Sequence, residues 1–217
     1  MSASPIKLVA FDMEGCLTAD PTVWELMHRQ LDTWQSHGLP YWHRYLAGGL
    51  GYDEFARMDV AVWRGAPEAV LLEAAMEVPL MAGCAEALGE LRRAGVQMAL
   101  ISNGLTCVAE RFQREFGFSH VYANTALSHD GVLTGEFDLS VPYEHKGLVL
   151  ARLAAELGLG REQIASVGDS AADVAMFAGS AVSIAMRPHD PAVAAAATHV
   201  IADHNLLPVA AIVLAGR

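Results

Sequence analysis

The feature that most restricts this chain is a set of short apolar runs, three of which stop abruptly at a polar residue or a glycine. Leu8 to Phe11 runs into Asp12, Val96 to Ile101 into Ser102, and Ile164 to Val167 into Gly168; Val182 to Ala185 is a fourth run. Runs this short with such punctuation read as buried strands. Helical periodicity fills the gaps between them: Cys84, Leu88 and Leu91 before Gly95; Val108, Phe112 and Phe116 before Gly117; Val149, Leu150, Leu153 and Leu157 before Gly158. Strand and helix in alternation predict an α/β fold, a parallel sheet flanked by helices, with its site in the loops at the carboxyl ends of the strands.

Two stretches break the alternation. Residues 19–79 show no clear strand but carry Trp24, Trp34, Tyr41, Trp42, Tyr45, Phe55 and Trp63 in helical patterns, which predicts a small helical cap inserted after the first strand loop. The catalytic core is then expected over 1–18 and 80–217. Val121 to Phe137 reads as a β-hairpin insertion, with Asp130-Gly131 suited to a tight turn. The alanine run near Ala194 reads as helix rather than linker.

Charge and cysteine usage bound the partners. At 217 residues with a net charge of −11, the chain is a poor match for polyanionic nucleic acid or an anionic membrane, so neither is an expected partner. The apolar stretch Leu206 to Ala215 is half the roughly 20 residues a bilayer span needs. Cys16, Cys84 and Cys107 form no disulfide framework and no Cys-x-x-Cys pair, which fits a reduced, cytoplasmic protein; the aromatic richness of residues 19–79 leaves both a monomer and a homodimer open. Cys16 reads as a small buried side chain and the histidines as surface or structural.

The chemistry lies at the strand ends. Asp12-Met13-Glu14-Gly15-Cys16-Leu17-Thr18 places two acids and a turn glycine after the first strand. Ser102-Asn103-Gly104 offers a hydroxyl and backbone N–H groups suited to phosphate. Lys146 supplies an ammonium at a helix start, and Asp169 and Asp173 are spaced to share one face of a starting helix. A carboxylate approaching a phosphate dianion meets repulsion of roughly 8 kcal/mol at about 4 Å and an effective dielectric near 20. A divalent cation with Lys146 would cancel it, and clustered carboxylates are the ligands Mg²⁺ prefers.

With these four motifs in order, the chain resembles the haloacid dehalogenase (HAD) superfamily, and within it the phosphoserine phosphatase-like branch. The resemblance implies a Rossmann-like core with a helical cap and a Mg²⁺-dependent phosphatase acting on a small phosphorylated metabolite. It implies Asp12 as nucleophile and metal ligand, and Glu14 as general acid and base that also lends its backbone carbonyl to the metal. Ser102, Asn103, Gly104 and Lys146 would hold the phosphoryl group; Asp169 and Asp173 would complete the metal site. Two departures stand out: Glu14 replaces the usual aspartate, and Asp59 stands where a substrate-gripping arginine is expected, leaving Arg57 and Arg64 as neighbours and Arg57 as the candidate substrate contact. Phosphotransfer to a small alcohol such as homoserine and a non-catalytic phosphate-binding role are the alternatives. Dehalogenation would leave Asp169 and Asp173 without work.

Overall fold

The computed structural model describes residues 6–215. Among them are seven strands in one sheet and ten α-helices. The strands are β1 (Leu8–Phe11), β2 (Gln97–Leu105), β3 (His120–His129), β4 (Val132–Asp138), β5 (Ile164–Gly168), β6 (Val182–Met186) and β7 (His199–Ile201). They lie in the order β4-β3-β2-β1-β5-β6-β7, parallel throughout except where β3 and β4 pair as an antiparallel hairpin. The helices are α1 (Val23–Gln30), α2 (Leu39–Leu46), α3 (Tyr52–Val62), α4 (Glu68–Glu77), α5 (Cys84–Arg93), α6 (Thr106–Phe116), α7 (Lys146–Leu157), α8 (Val174–Ala178), α9 (Pro191–Ala196) and α10 (Leu207–Ala215). No described helix is long and apolar enough to cross a membrane.

β1 sits at the centre because all four of its side chains are buried and it can be covered on both faces. It pairs with β2 on one side and β5 on the other, Leu8 opposite Gln97 and Ile164. Alternate residues feed two cores: Val9 and Phe11 join the larger one under α5, α6 and α10, while Leu8 and Ala10 join a smaller one with Leu150, Leu153 and Met176. The hairpin turns at Asp130 and Gly131, whose φ values of +49° and +75° give the left-handed pair that a two-residue turn needs.

Two features differ from the sequence reading. The strand predicted to end at Ile101 continues to Leu105, so Ser102, Asn103 and Gly104 lie within β2. Its pairing with β3 shifts between Ile101 and Leu105, an irregularity that interrupts the regular ladder at Ser102, Asn103 and Gly104. β7 has no counterpart in the sequence reading; His199 and Val200 are exposed, so it shows no buried apolar run to recognise.

Helices α1 to α4 follow the first strand loop. The chain leaves and returns side by side: Ala19 N–H donates to the Pro79 carbonyl at 2.9 Å, and Met81 N–H to the Leu17 carbonyl at 2.9 Å. Trp24 and Trp63, both buried, pack 5.4 Å apart between ring centres, and Trp24 meets Phe137 of β4 at 6.2 Å. α2 buries no residue fully and rests on α3 and on a single π-helical turn, Trp34–Gly38.

Inside this helical unit His28 is fully buried, its Nδ1 2.7 Å from Thr33 Oγ1 and its Nε2 3.0 Å from the buried carboxylate of Asp59. Burial raises the Asp59 pKa, and His28 opposes that rise. Asp59→Ala would leave a buried ring nitrogen without its partner, at a cost of about 1–3 kcal/mol. We expect thermal denaturation to show a fall of roughly 2–4 °C per kcal/mol for a domain of this size. An unchanged melting temperature would show that the pair contributes nothing.

Candidate active site

The β1 loop is wound around one carbonyl. Cys16, Leu17 and Thr18 N–H groups donate to the Met13 carbonyl at 3.3, 2.8 and 3.0 Å, the Thr18 hydroxyl adds a fourth bond at 3.3 Å, and Asp12 N–H reaches back to the Val167 carbonyl on β5 at 2.9 Å. Asp12 is thereby fixed where β1 and β5 end. Gly15 permits the turn with φ +77°, and a Cβ there would collide with the Asp169 carboxylate, so the first loop cradles the acid of the fifth strand.

Lys146, at the start of α7, is buried, and its Nζ lies 2.8 Å from Asp12 Oδ1 and 2.8 Å from Asp173 Oδ1. Burial alone would lower the Lys146 pKa; the two carboxylates more than offset it and hold the ammonium charged. Asp173 is also fully buried, and its Oδ2 accepts from Asp169 N–H, Ser170 N–H and Ser170 Oγ, each at 3.0 Å. The structure thus turns Asp173 inward, as a cap of its own loop and a partner of Lys146. The single 3₁₀ turn Ala171–Asp173 explains why it does not share a helical face with Asp169.

Carboxylate oxygens of Asp12 and Asp169 and the sulfur of Cys16 lie within 4.8 Å of one another. Burial and then Coulomb repulsion from Asp12 and Asp173 push the Asp169 pKa well above the usual range. Burial also lifts Asp12, to about 6, against the pull of Lys146. Crowded acids raised in this way mark a place for a cation. The two carboxylates fit a hard ion such as Mg²⁺; the Cys16 thiol, kept protonated by burial, does not.

Glu14 has a buried Oε1 without a protein hydrogen-bond partner. Its pKa rises to about 8, first through burial and then through Asp12, with Lys146 and then the Trp24 indole acting against the rise. Gly104 lies beside it: a Cβ there would approach Ser102 Oγ at 3.3 Å and Glu14 Cδ at 3.4 Å. Ser102 Oγ accepts from Gly104 N–H at 3.0 Å. Asn103 turns its side chain away, its Nδ2 donating to the Val141 carbonyl at 3.0 Å.

Asn124 escaped the sequence reading. Fully buried on β3, it donates to the carbonyls of Asn103 (2.8 Å) and Val141 (3.0 Å) and accepts from Val141 N–H (2.7 Å). It ties the Ser102 segment to the loop that leads into Lys146. The available signal was a polar residue at a position the hairpin pattern makes inward-facing. Arg57 is exposed and lines a cleft of about 500 Å³ together with Tyr52, Asp53, Tyr143, Glu144 and His145.

Removing Asp173 tests this frame. Asp173→Ala strips Lys146 of one carboxylate and the Asp169-Ser170 backbone of its acceptor, a loss of about 3–5 kcal/mol for a broken buried pair. Urea denaturation should show it as a lower midpoint with an unchanged slope. A stability equal to wild type would contradict the bonding described.

A family model described as haloacid dehalogenase-like hydrolase matches residues 9–178. The phosphoserine phosphatase of Methanocaldococcus jannaschii is 26% identical over 180 residues, 82% of this chain and 84% of the relative. That of Idiomarina loihiensis is 29% identical over 204 residues, 93% of this chain and 91% of the relative. A solved structure described as a phospho-aspartyl intermediate analogue of phosphoserine phosphatase superposes with a TM-score of 0.84 at 23% identity, covering 95% of this chain and 98% of the other, which establishes the shared fold. With three strand-end segments and the start of α7 meeting in one acidic pocket and a family match spanning most of its length, the chain belongs to the haloacid dehalogenase-like hydrolases.

Proposed function

We propose that the protein is a Mg²⁺-dependent phosphatase that hydrolyses a small phosphomonoester through a covalent phosphate on Asp12. The observation that carries this reading is the position of Asp12. One oxygen is held by Lys146, and its carboxylate stands within 4.8 Å of that of Asp169. Relatives named as phosphoserine phosphatases support it, and make phosphoserine the reference substrate.

Asp12 and Asp169 would hold the metal, with the Glu14 carbonyl as a third oxygen donor. The bound ion supplies positive charge that offsets the repulsion between the carboxylate and the phosphoryl oxygens. The remaining work falls to the side chains. Asp12 attacks phosphorus; the bond from phosphorus to the leaving oxygen breaks, and Glu14 gives that oxygen its proton. Water then attacks phosphorus, Glu14 takes a proton from it, and the Asp12 carboxylate departs. Lys146, the Ser102 hydroxyl and the backbone N–H groups beside it stabilise the phosphoryl oxygens through both steps.

The orphaned oxygen of Glu14 suits this role, since a carboxyl kept protonated by burial and by the neighbouring Asp12 is ready to donate to a leaving alcohol. Asp12→Asn keeps the shape of the site and removes the nucleophile. Turnover of 4-nitrophenyl phosphate should fall by at least about 10³-fold, while the unfolding transition stays cooperative. Chelation should abolish wild-type turnover and added Mg²⁺ restore it, and acid-quenched wild type should carry one phosphate on the Asp12 peptide. Turnover that survives in Asp12→Asn would end the proposal.

A further inference from the structure

The helical unit is fastened unequally along its length. This inference rests on the phosphatase reading and adds a residue to it. Past the end of α3, backbone bonds hold the chain to the hairpin: Gly65 N–H donates to the Leu133 carbonyl, Leu133 N–H to that of Ala66 and Glu68 N–H to that of Gly131, at 2.9, 2.9 and 2.8 Å. α2, before the start of α3, buries no residue fully. Where α3 begins, two side chains reach across to the core. Asp53 Oδ1 accepts from Tyr143 N–H at 3.1 Å, and the Tyr52 hydroxyl donates to the Asn103 carbonyl at 3.3 Å. The Tyr52 ring also stacks on that of Tyr143, 5.4 Å between centres.

Both bonds end beside residues that the phosphatase reading assigns to the phosphoryl group. Tyr143 opens the 3₁₀ turn Tyr143–His145, which runs directly into Lys146, and His145 N–H closes that turn on the Pro142 carbonyl at 2.9 Å. Asn103 follows Ser102, and its carbonyl takes the Asn124 amide as a second donor at 2.8 Å. Asn124 also holds Val141, two residues before Tyr143, by both its N–H and its carbonyl. The stretch leading to Lys146 is therefore bonded from β3 by Asn124 and from α3 by Asp53.

Arg57, Glu144 and His145 line the cleft that Asp53 shares, and all three are exposed. Water and salt screen charges placed in this way, whereas the bond to Tyr143 N–H is directed and short. We propose that Asp53 is a positioning residue, a latch that holds the start of α3 against the turn before Lys146 and so keeps the phosphate-binding arrangement of the site assembled. With the latch removed, that arrangement is populated for a smaller fraction of the time, and apparent affinity for phosphate falls by the same fraction. Saturating ligand restores the arrangement, so turnover is retained.

The test compares two substitutions in the presence of Mg²⁺. Asp53→Ala should raise KM for 4-nitrophenyl phosphate and the Kd of inorganic phosphate, measured by titration calorimetry, by one common factor of about 10, with kcat within about 2-fold of wild type. Asp53→Asn keeps the acceptor oxygen and removes the charge; both constants should return to within about 3-fold of wild type. A merely structural role would lower the melting temperature and leave the Kd of phosphate where it is, and that result overturns the proposal. So does an equal effect of the two substitutions, or a fall in kcat at unchanged KM. If wild type hydrolyses no ester, the phosphatase reading falls separately and the phosphate titration still decides the latch. If wild type also binds no phosphate, both fall.

Discussion

The ammonium of Lys146 between Asp12 and Asp173 is the interaction on which the rest of the site depends. Each ion alone would lose several kcal/mol on leaving water, and a buried charge without a partner is among the most destabilising defects a core can hold. Together they are satisfied, because Nζ bonds one oxygen of each acid and Asp173 spends its second oxygen on the Asp169-Ser170 backbone. Three stretches distant in sequence are locked to one point. Asp169 is held indirectly: its own carboxylate stays out of that network while its backbone is fastened by it.

This division leaves two kinds of acid in one pocket. Asp173 has both oxygens engaged, by Lys146 and by the Asp169–Ser170 loop; burial and neighbouring acids raise the pKa values of Asp12, Asp169 and Glu14. A protein that crowds acids this way gives up stability that a bound cation returns by mass action. The buried Glu14 oxygen with no internal partner belongs to the same pattern, a group arranged for a ligand rather than for the fold.

Much of the architecture was legible because buried parallel strands are nearly pure apolar runs and their ends are marked by chemistry. Leu8–Phe11 begins and ends where the run does, and Asp130-Gly131 turns as its composition requires. Less local features were not legible. Asp173 turns inward because one 3₁₀ turn replaces a helical start, a choice set by the Ser170 and Asp169 N–H groups rather than by spacing. Asn124 ties two loops through bonds to backbone carbonyls and an N–H, and backbone groups have no signature in sequence. The aromatic residues of α2 and α3 were readable as an aromatic-rich helical stretch but not as particular ring pairs, since ring orientation follows from how those helices pack.

The paired crossing of the chain at Leu17–Ala19 and Pro79–Met81 has a consequence for how such a protein can diversify. Because outgoing and returning backbones are zipped together, the sheet experiences the intervening sixty-odd residues as a closed loop of nearly zero span. Its exposed part, α2, which rests on α3 and the Trp34–Gly38 turn, is free of the sheet, whereas the Gly65–Glu68 segment is bonded to Gly131 and Leu133 of the hairpin. Changes in length or sequence are therefore absorbed most readily at α2, with the register of β1 against β2 and β5 left as it is.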